Sequence, residues 1–393
     1  MSTLQVEDLL KELTEEGQLQ STGRFTVDLS RAKEKLAQYQ FQDPFCYILK
    51  LVQAAVAARA DGFILQSGTT ELVATLVGAS FTPHELENLL YYLLQDAGTE
   101  VTASAALRHL AVAVNAAVGT RASEIVLKSW DGHSGVQVSW TRGGQRSAPW
   151  QPTLPQVQTR FQMRRVAGDM LSDVYQKVAS RDLFSMMTGS RQGMDREQGL
   201  IYDRCAFCPI PIKINSKDCP GYDLGAPADV GLLANLVGRI LGSESVNPKH
   251  HLFELYYPGQ ALAGPRKTFT RWAGNRTPEA NYSAILALPA RLTGHTLVIP
   301  VLDGVSLQVQ RLEWPGPPAI FYVDAQGLDL DLTGLSLVRN EKALQRFGQY
   351  AQALIDAGQT YLSSPVAIRR GQQKDRLETA LRQGRDQPVT FLG

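Results

Sequence analysis

The chain has 393 residues, of which 44% are hydrophobic and 20% are charged. This is not the composition of a disordered protein, and it provides enough apolar side chains for well-packed cores. The chain has 39 lysines and arginines against 38 aspartates and glutamates. This balance excludes an overall positive charge that would attract nucleic acid. No apolar stretch approaches the roughly 18 residues that span a bilayer, so we expect no membrane insertion and a cytoplasmic location.

The N-terminal part is predicted to place one long apolar helix among shorter elements. Before that helix, the pattern predicts a helix over 6–16, a strand over 24–28 and a polar helix over 30–39. Asp43 and Pro44 then favour a helix start, and residues 45–60 are apolar on almost every side. We therefore expect this central helix to be buried inside its domain.

Short strands and two further helices follow the central helix. The strands are predicted over 62–66, 71–77, 124–130, 135–141 and 159–166. Thr82 and Glu85 form a capping box that predicts a helix through residue 94, and residues 103–118 form a mostly apolar helix. Helices on one side of a mixed or antiparallel sheet, without regular βαβ repetition, predict a two-layer α/β sandwich in an α+β protein.

The second half of the chain is predicted to be a further α+β unit with a polar tail. The elements are a helical segment over 169–207 with a hinge at 188–193, a strand over 209–215, a helix over 229–241, strands over 252–257, 283–288, 297–302 and 305–312, and a helix over 341–357. The predicted domains are 1–190 and 191–362. They are followed by a basic tail over 363–393, whose residues 368–387 we expect to form a loosely held helix.

The order of these elements resembles the ATP-binding fold of the GHKL superfamily, which includes gyrase and the ninety-kilodalton heat-shock chaperone. The shared order is a buried helix, two strands, a glycine turn, a capped helix, an apolar helix and a strand pair. A helix ending in Arg204, followed by CPIPIKIN at 208–215, also resembles the entry into the chaperone's middle domain. The resemblance covers roughly residues 20–350 and implies a GHKL-like N-terminal domain followed by a middle-domain-like one.

The first family motif has the form E-L-x-x-N-A-x-D-A, and KLVQAAVAA at 50–58 stands in its place. In the family the first carboxylate activates the attacking water and the asparagine oxygen holds Mg²⁺. Lys50 and Ala54 occupy those two positions here. Lys50 can either contact a phosphate or extend its ammonium to solvent from the end of a buried helix.

The second and third motifs are altered as well. Leu76 stands where the D-x-G-x-G motif has the aspartate that binds adenine, and Gly78 is the one glycine that remains. In place of the glycine-rich lid the chain has LAVAVN at 110–115, and alanine favours a continued helix by about 1 kcal/mol over glycine. Ala111 and Asn115 complete the expected vestigial pocket, in which Asn115 is either a substitute metal ligand or a helix residue with satisfied hydrogen bonds.

These substitutions predict a non-catalytic chaperone-like protein that acts as a scaffold, assembly factor or interaction protein. Its expected partners are other proteins, a homodimer is one form it could take, and no cofactor is expected. The alternative is a divergent ATP-binding ATPase that uses ATP and Mg²⁺, in which Asn115 or Glu71 has taken over the lost roles.

Four cysteines are too few for a disulfide framework in a chain of this length. Cys205, Cys208 and Cys219 still have a spacing that could hold zinc if a fourth ligand such as Cys46 or His250 folds back. A redox pair is a second hypothesis and buried structural thiols a third.

Two further segments admit an interaction surface or an ordinary structural role. Arg160, Arg164 and Arg165 lie near one strand, which is either a partner-binding edge or a solvated strand face. Residues 315–318 form a proline turn beside Trp314, which is either an exposed aromatic surface or a strand connection with a buried tryptophan.

Overall fold

The structure is a computed structural model with mixed α and β elements. It describes residues 18–19, 25–26, 43–68, 70–93, 102–120, 122–141, 144–153, 155–165, 192–219, 232–233, 251–258, 269–273, 277–289, 294–331, 333–363 and 372–392. The predicted helices over 6–16, 30–39 and 229–241 and the predicted hinge over 188–193 lie wholly or largely outside these residues. The described part contains six α-helices and two mixed sheets.

The first sheet has eight strands. They are β3 (Gly62–Ser67), β4 (Glu71–Val77), β5 (Ala122–Trp130), β6 (Gly135–Thr141), β7 (Gly144–Pro149), β8 (Gln158–Arg165), β9 (Ile212–Ile214) and β10 (Lys217–Asp218). Their order is β10-β9-β3-β4-β8-β5-β6-β7, and only β3 and β9 run parallel. A separate antiparallel pair joins β1 (Gln18–Leu19) to β2 (Phe25–Thr26).

The second sheet is formed by later strands. They are β11 (Leu232–Leu233), β12 (His251–Pro258), β13 (Phe269–Ala273), β14 (Thr277–Pro289), β15 (Thr296–Leu302), β16 (Val305–Ser306), β17 (Gln310–Glu313), β18 (Ile320–Asp324) and β19 (Thr390–Phe391). Their order is β11-β12-β14-β18-β15-β17-β19, with β13 on β14 and β16 on β15. Strands β15 and β18 run parallel, and every other pairing in this sheet is antiparallel.

The central helix α1 (Tyr47–Ala57) is buried at every residue. Asp43 accepts a hydrogen bond from the backbone N–H of Phe45, and Pro44 follows at the first helical position, so the chain enters the helix through a capped 3₁₀ turn. An apolar sequence with no polar face requires neighbours on all sides, and α1 packs against α3 (Thr102–Gly119), the first sheet and the second half of the chain. The prediction of a buried central helix is confirmed.

The capping box at Thr82 is present as predicted, but the helix it begins is short. Helix α2 (Pro83–Glu87) has both reciprocal hydrogen bonds between Thr82 and Glu85. The chain then continues as the 3₁₀ helix Leu89–Leu93, which packs against α3. The predicted helix through residue 94 was therefore too long.

The strand predicted over 209–215 lies in the first sheet. Helix α4 (Gln192–Arg204) leads into β9, whose Ile212 pairs in parallel with Phe63 of β3. The first sheet, which begins with β3, is thus completed by β9 and β10 before the chain forms the second sheet. Sequence patterns did not indicate this return, because a three-residue strand carries no information about its partner.

The C-terminal segment is part of the core, which corrects the expected loosely held tail. Helix α5 (Glu341–Leu362) buries one face against the second sheet, and α6 (Gln372–Gly384) packs on α5. Leu377 and Leu381 of α6 are 1% exposed, and β19 pairs with β17 at the sheet edge. The tail is polar on average, but Leu377 and Leu381 recur at helical spacing, and Leu381 lies against Gly358 of α5.

None of the helices within the described residues is both long and apolar enough to cross a membrane.

We expect Leu381→Ala to lower the free energy of unfolding by about 2 to 4 kcal/mol, because it empties a closed site between α5 and α6. The matched control is Arg382→Ala on the same helix, whose exposed pair with Glu378 predicts a change of about 0.5 kcal/mol or less. Urea unfolding followed by circular dichroism measures both. Equal effects would show that α6 is not part of the folded core.

Candidate functional site

Four residues of the expected vestigial pocket lie in the interior. Ala54 on α1, Leu76 on β4 and Ala111 on α3 are all 0% exposed and belong to one hydrophobic cluster. Asn115, one turn after Ala111, is 4% exposed. Residues 110–115 are helical, which confirms the prediction that alanines in place of the lid glycines continue the helix.

Gly78 directly follows β4 and has a backbone conformation that residues with a side chain rarely adopt. Its φ is +77°, and its amide donates to the carbonyl of Val157. A Cβ at this position would stand 2.3 Å from a carboxylate oxygen of Asp61. Both the left-handed conformation and the approach of Asp61 account for this glycine.

Lys50 does not extend its ammonium to solvent, as one of the two hypotheses for it expected. Its side chain is 2% exposed, so the ammonium does not reach solvent, and its Nζ donates to the backbone oxygen of Gly334 at 3.1 Å. Gly334 has a φ of +61°, and a Cβ there would come within 2.8 Å of the Lys50 Nζ. The lysine therefore connects the central helix to the second half of the chain.

The loop that receives Lys50 is held in shape by Asp331. Its carboxylate accepts hydrogen bonds from the Thr333 hydroxyl and from the amides of Leu335 and Ser336. The amide of Gly334 donates to the Asp331 carbonyl. The Gly334 carbonyl is thus presented to Lys50 by a loop that is already ordered by its own hydrogen bonds.

A second contact between the two halves of the chain is the turn between β15 and β16. Asp303 and Gly304 form this two-residue turn, and both have positive φ, +46° and +77°, as type I′ hairpins require. We call Leu302–Ser306 the hairpin tip. It is buried at Asp303, Val305 and Ser306, so it is enclosed and does not project into solvent.

Three helices hold the hairpin tip. From α1, Gln53 Nε2 donates to the Leu302 carbonyl at 3.1 Å. From α3, His109 Nε2 lies 3.0 Å from the carboxylate of Asp303. From the end of α4, Arg204 Nε donates to the Ser306 carbonyl at 2.6 Å. These contacts and the Lys50–Gly334 hydrogen bond define the candidate site, which we call the junction.

Helix α4 is itself fixed to α1 by polar contacts. The Tyr47 hydroxyl donates to the buried carboxylate of Glu197, across 150 positions of sequence. At the helix surface, Arg196 pairs with Asp43 at 2.8 Å. These contacts hold α4 so that its last residue, Arg204, meets the hairpin tip.

Burial lowers the pKa of two basic groups in the junction, Lys50 and His109. Burial lowers the pKa of Lys50 to about 7; Asp331 and Asp303 act to raise it, and Arg204 and Arg108 act to lower it further. Burial likewise lowers the pKa of His109, partly offset by its hydrogen bond to Asp303. Lys50 therefore changes its charge near neutral pH, and His109 does so below its usual pKa of 6.5.

Two of the three thiols singled out by spacing, Cys205 and Cys219, are not activated. Burial raises the pKa of Cys205 well above its usual value and that of Cys219 to about 11. Within the described residues, no group of three or more histidine, cysteine or acidic side chains has the arrangement of a metal site. Cys208 has a structural role, since its backbone packs against Gly304.

The two candidate surface segments have structural roles. Strand β8, which carries Arg160, Arg164 and Arg165, lies between β4 and β5, so the hypothesis of a partner-binding edge is wrong. The proline turn over 315–318 connects β17 to β18, and Trp314 beside it donates to the Thr296 hydroxyl at 2.7 Å. The turn is therefore a strand connection as one interpretation predicted, but Trp314 is half-buried and not fully buried.

Sequence analysis identified Lys50 but missed the rest of the junction. Asp303-Gly304 between two predicted strands is a strong hairpin pattern, and it would have located the tip. His109, Gln53 and Arg204 give no such indication, because a single polar residue in an apolar helix does not reveal which loop will contact it.

The chain matches no known family model, and no curated protein matches it either. Its function therefore has to be argued from the residues themselves.

We expect Gly304→Ala to lower the free energy of unfolding by about 3 kcal/mol or more, because the new Cβ adds both left-handed strain and a clash. That Cβ would stand 2.9 Å from the Cys208 Cα and from a ring carbon of Pro209. Gly294→Ala is the control, since it has φ +101° and meets no described atom within 4 Å, so about 1 kcal/mol is expected from strain alone. If urea unfolding showed the same loss of unfolding free energy for Gly304→Ala and Gly294→Ala, the hairpin tip would not be tightly enclosed.

Proposed function

We propose that this chain is a non-catalytic relative of the GHKL chaperones that works through its surfaces, as a scaffold, assembly factor or interaction protein. The proposal includes a two-layer arrangement of helices and sheet in the N-terminal part, which is supported by the contacts of α1 with β3 and of α3 with β5. Other proteins are its proposed partners, and no nucleotide is needed.

The observation that carries the proposal is the way the chain occupies its own motif positions. Ala54, Leu76 and Ala111 have no exposed surface, so a nucleotide cannot approach them without unpacking the core. Lys50, at the position of the water-activating carboxylate, is already bound to the Gly334 carbonyl. The side chains that would have to meet ATP are packed against protein instead.

The residue types also lack the chemistry of hydrolysis. Activation of water needs a base, and Lys50 lies among two arginines and two aspartates with its charge directed at a backbone oxygen. Coordination of Mg²⁺ needs oxygen ligands, and Ala54 has none to offer. Each loss would impair turnover, and together they leave no residue at the aligned positions with a catalytic role.

The alternative ATPase hypothesis required Glu71 or Asn115 to replace the missing groups. Along β4 the buried residues are Leu72, Ala74 and Leu76, so alternation puts Glu71 on the opposite face of the sheet, where it is exposed. Asn115 belongs to α3, which packs against the buried face. The two side chains therefore cannot share one magnesium or phosphate, which favours the non-catalytic proposal.

The junction supports a scaffold because it joins the two halves by direct contacts. Hydrogen bonds from α1, α3 and α4 connect the second sheet to the first. A protein that presents surfaces in a fixed arrangement gains from such a connection.

We expect isothermal titration of the full chain with ATP or ADP, each with Mg²⁺, to show no heat of binding at low-micromolar affinity. The physical reason is that the aligned positions are packed and carry no adenine or metal ligand. A GHKL ATPase titrated in the same buffer is the positive control. Low-micromolar binding, or ATP turnover that is lost in Asn115→Ala, would overturn the proposal in favour of a divergent ATPase.

A further inference from the structure

The first sheet has a core side and a side on which several residues are open to solvent. Side chains alternate along each strand, so Leu72 and Leu76 of β4 and Leu127 of β5 lie in the core. Residues between them point the other way and are partly exposed. We call this side of the sheet the outer face, and it includes Thr75, Arg160, Gln162, Lys128, Gln137 and the exposed Arg146.

Two cations stand directly opposite each other on the outer face. Arg160 of β8 pairs with Lys128 of β5 in the sheet register, which places their Cβ atoms about 5 Å apart. Like charges in this cross-strand position are destabilising. Their next neighbours across the sheet, Thr75 of β4 and Gln137 of β6, are uncharged. Because β8 is an interior strand, a partner meets Arg160 only through the face of the sheet.

Arg164 shows how the same strand accommodates an arginine that has a structural partner. It lies on the outer face between Glu71 and Glu124, and its Nη1 is 3.2 Å from the Glu124 carboxylate. Arg160 makes no hydrogen bond or ion pair with the residues that the structure describes, and its Nε is shielded from solvent without a partner. A donor left in this state costs free energy. The described contacts therefore give Arg160 no role in folding.

Lys128 lies beside the ring of Trp150. Its Nζ is 6.0 Å from the ring centroid, a cation–π contact that leaves the positive charge in place. Burial lowers the pKa of Lys128, and the neighbouring Arg160 lowers it further. A bound anion would relieve the repulsion between the two cations. Since Lys128 covers the ring of Trp150, that ring face is not free to stack a nucleic-acid base.

A third cation extends this positive surface toward the edge of the sheet. Arg146 of the exposed strand β7 pairs with Ser139, which pairs with Val126, two residues before Lys128. The strand spacing and the rise per residue then separate Lys128 from Arg146 by about 12 Å. An extended peptide carries every second side chain on one side, about 7 Å apart. A segment of about five residues with alternating carboxylates reaches both cations.

We propose that the outer face around Arg160, Lys128 and Arg146 binds an extended acidic segment of a partner protein, whose carboxylates pair with these three cations. A guanidinium binds a carboxylate through two parallel hydrogen bonds, which fixes its orientation as well as its charge. A long polyanion is a poorer fit, because the chain has a net charge of +1 and the Trp150 ring is covered. The inference rests on the proposed function, since it gives the interaction protein a surface and a partner chemistry.

The test is fluorescence anisotropy of a labelled, alternating Glu-Ser peptide of about eight residues, titrated with the full chain in the absence of nucleotide. A Gln-Ser peptide of the same length is the uncharged control. We expect the Glu-Ser peptide to bind and the Gln-Ser peptide not to bind. Binding of the Glu-Ser peptide should weaken by about tenfold or more between about 20 and 200 mM salt, because salt screens exposed charges.

Two variants and a matched control locate the binding. Arg160→Gln should weaken binding about tenfold, because it removes the guanidinium that pairs with a carboxylate. Thr75→Glu should weaken it by a similar factor, because it offers Arg160 a carboxylate within the sheet, as Glu124 does for Arg164. Arg164→Gln removes the same charge from the same strand and face, and should stay within about threefold of the wild type. Circular dichroism checks that all three variants remain folded.

Three results would overturn the proposal. One is no binding of the Glu-Ser peptide at the lowest salt. Another is equal weakening in Arg160→Gln and Arg164→Gln, which would mean that the peptide responds only to net charge. The third is tighter binding of an oligothymidine of the same length, which would assign the outer face to nucleic acid. A chain that bound both the Glu-Ser peptide and ATP would overturn the proposed function and leave this surface standing.

Discussion

A helix that is buried along its whole length has no water around it, so the hydrogen bonds of its polar side chains have to be made to the protein. Helix α1 has this constraint, and it carries Lys50 and Gln53 on the side that faces the second half of the chain. Their partners are backbone carbonyls of Gly334 and Leu302, which only correctly placed turns can supply. These two hydrogen bonds therefore contribute, together with the shared apolar core, to the position of the second sheet.

Helices and strands with a strong local sequence pattern were predictable from the sequence. The elements against which they pack were not. The apolar run of α1, the Thr82 capping box and the alternation of β4 each report their own secondary structure. The mixed α+β class follows from their sum. The strand β9 was predicted, but the sheet to which it belongs was not, and α6 was described as loosely held. Both positions depend on partners, β3 and α5, that lie far away or outside the local sequence pattern.

In the candidate site, too, single residues could be identified from the sequence, but their contacts could not. Lys50 could be found because it stands at the first position of the motif-like stretch over 50–58, yet its role could not, since its ammonium donates to the carbonyl of Gly334, which lies 284 positions later. His109 and Arg204 lie in helices whose remaining residues give no hint of a shared target. Buried polar contacts between distant elements are a property of the assembled fold and cannot be seen in any local window.

The parallel pairing of β9 with β3 affects how the protein is made. During synthesis β3 and β4 emerge early, but Ile212 and Ile214 of β9 leave the ribosome only after some 140 further residues, at typical rates of about 5 to 20 residues per second. Until then one edge of β3 has unpaired backbone groups, which is the feature that promotes association between nascent chains. The first sheet therefore depends on residues outside the N-terminal 190, and a ribosome-bound chain of that length would be a natural substrate for chaperones.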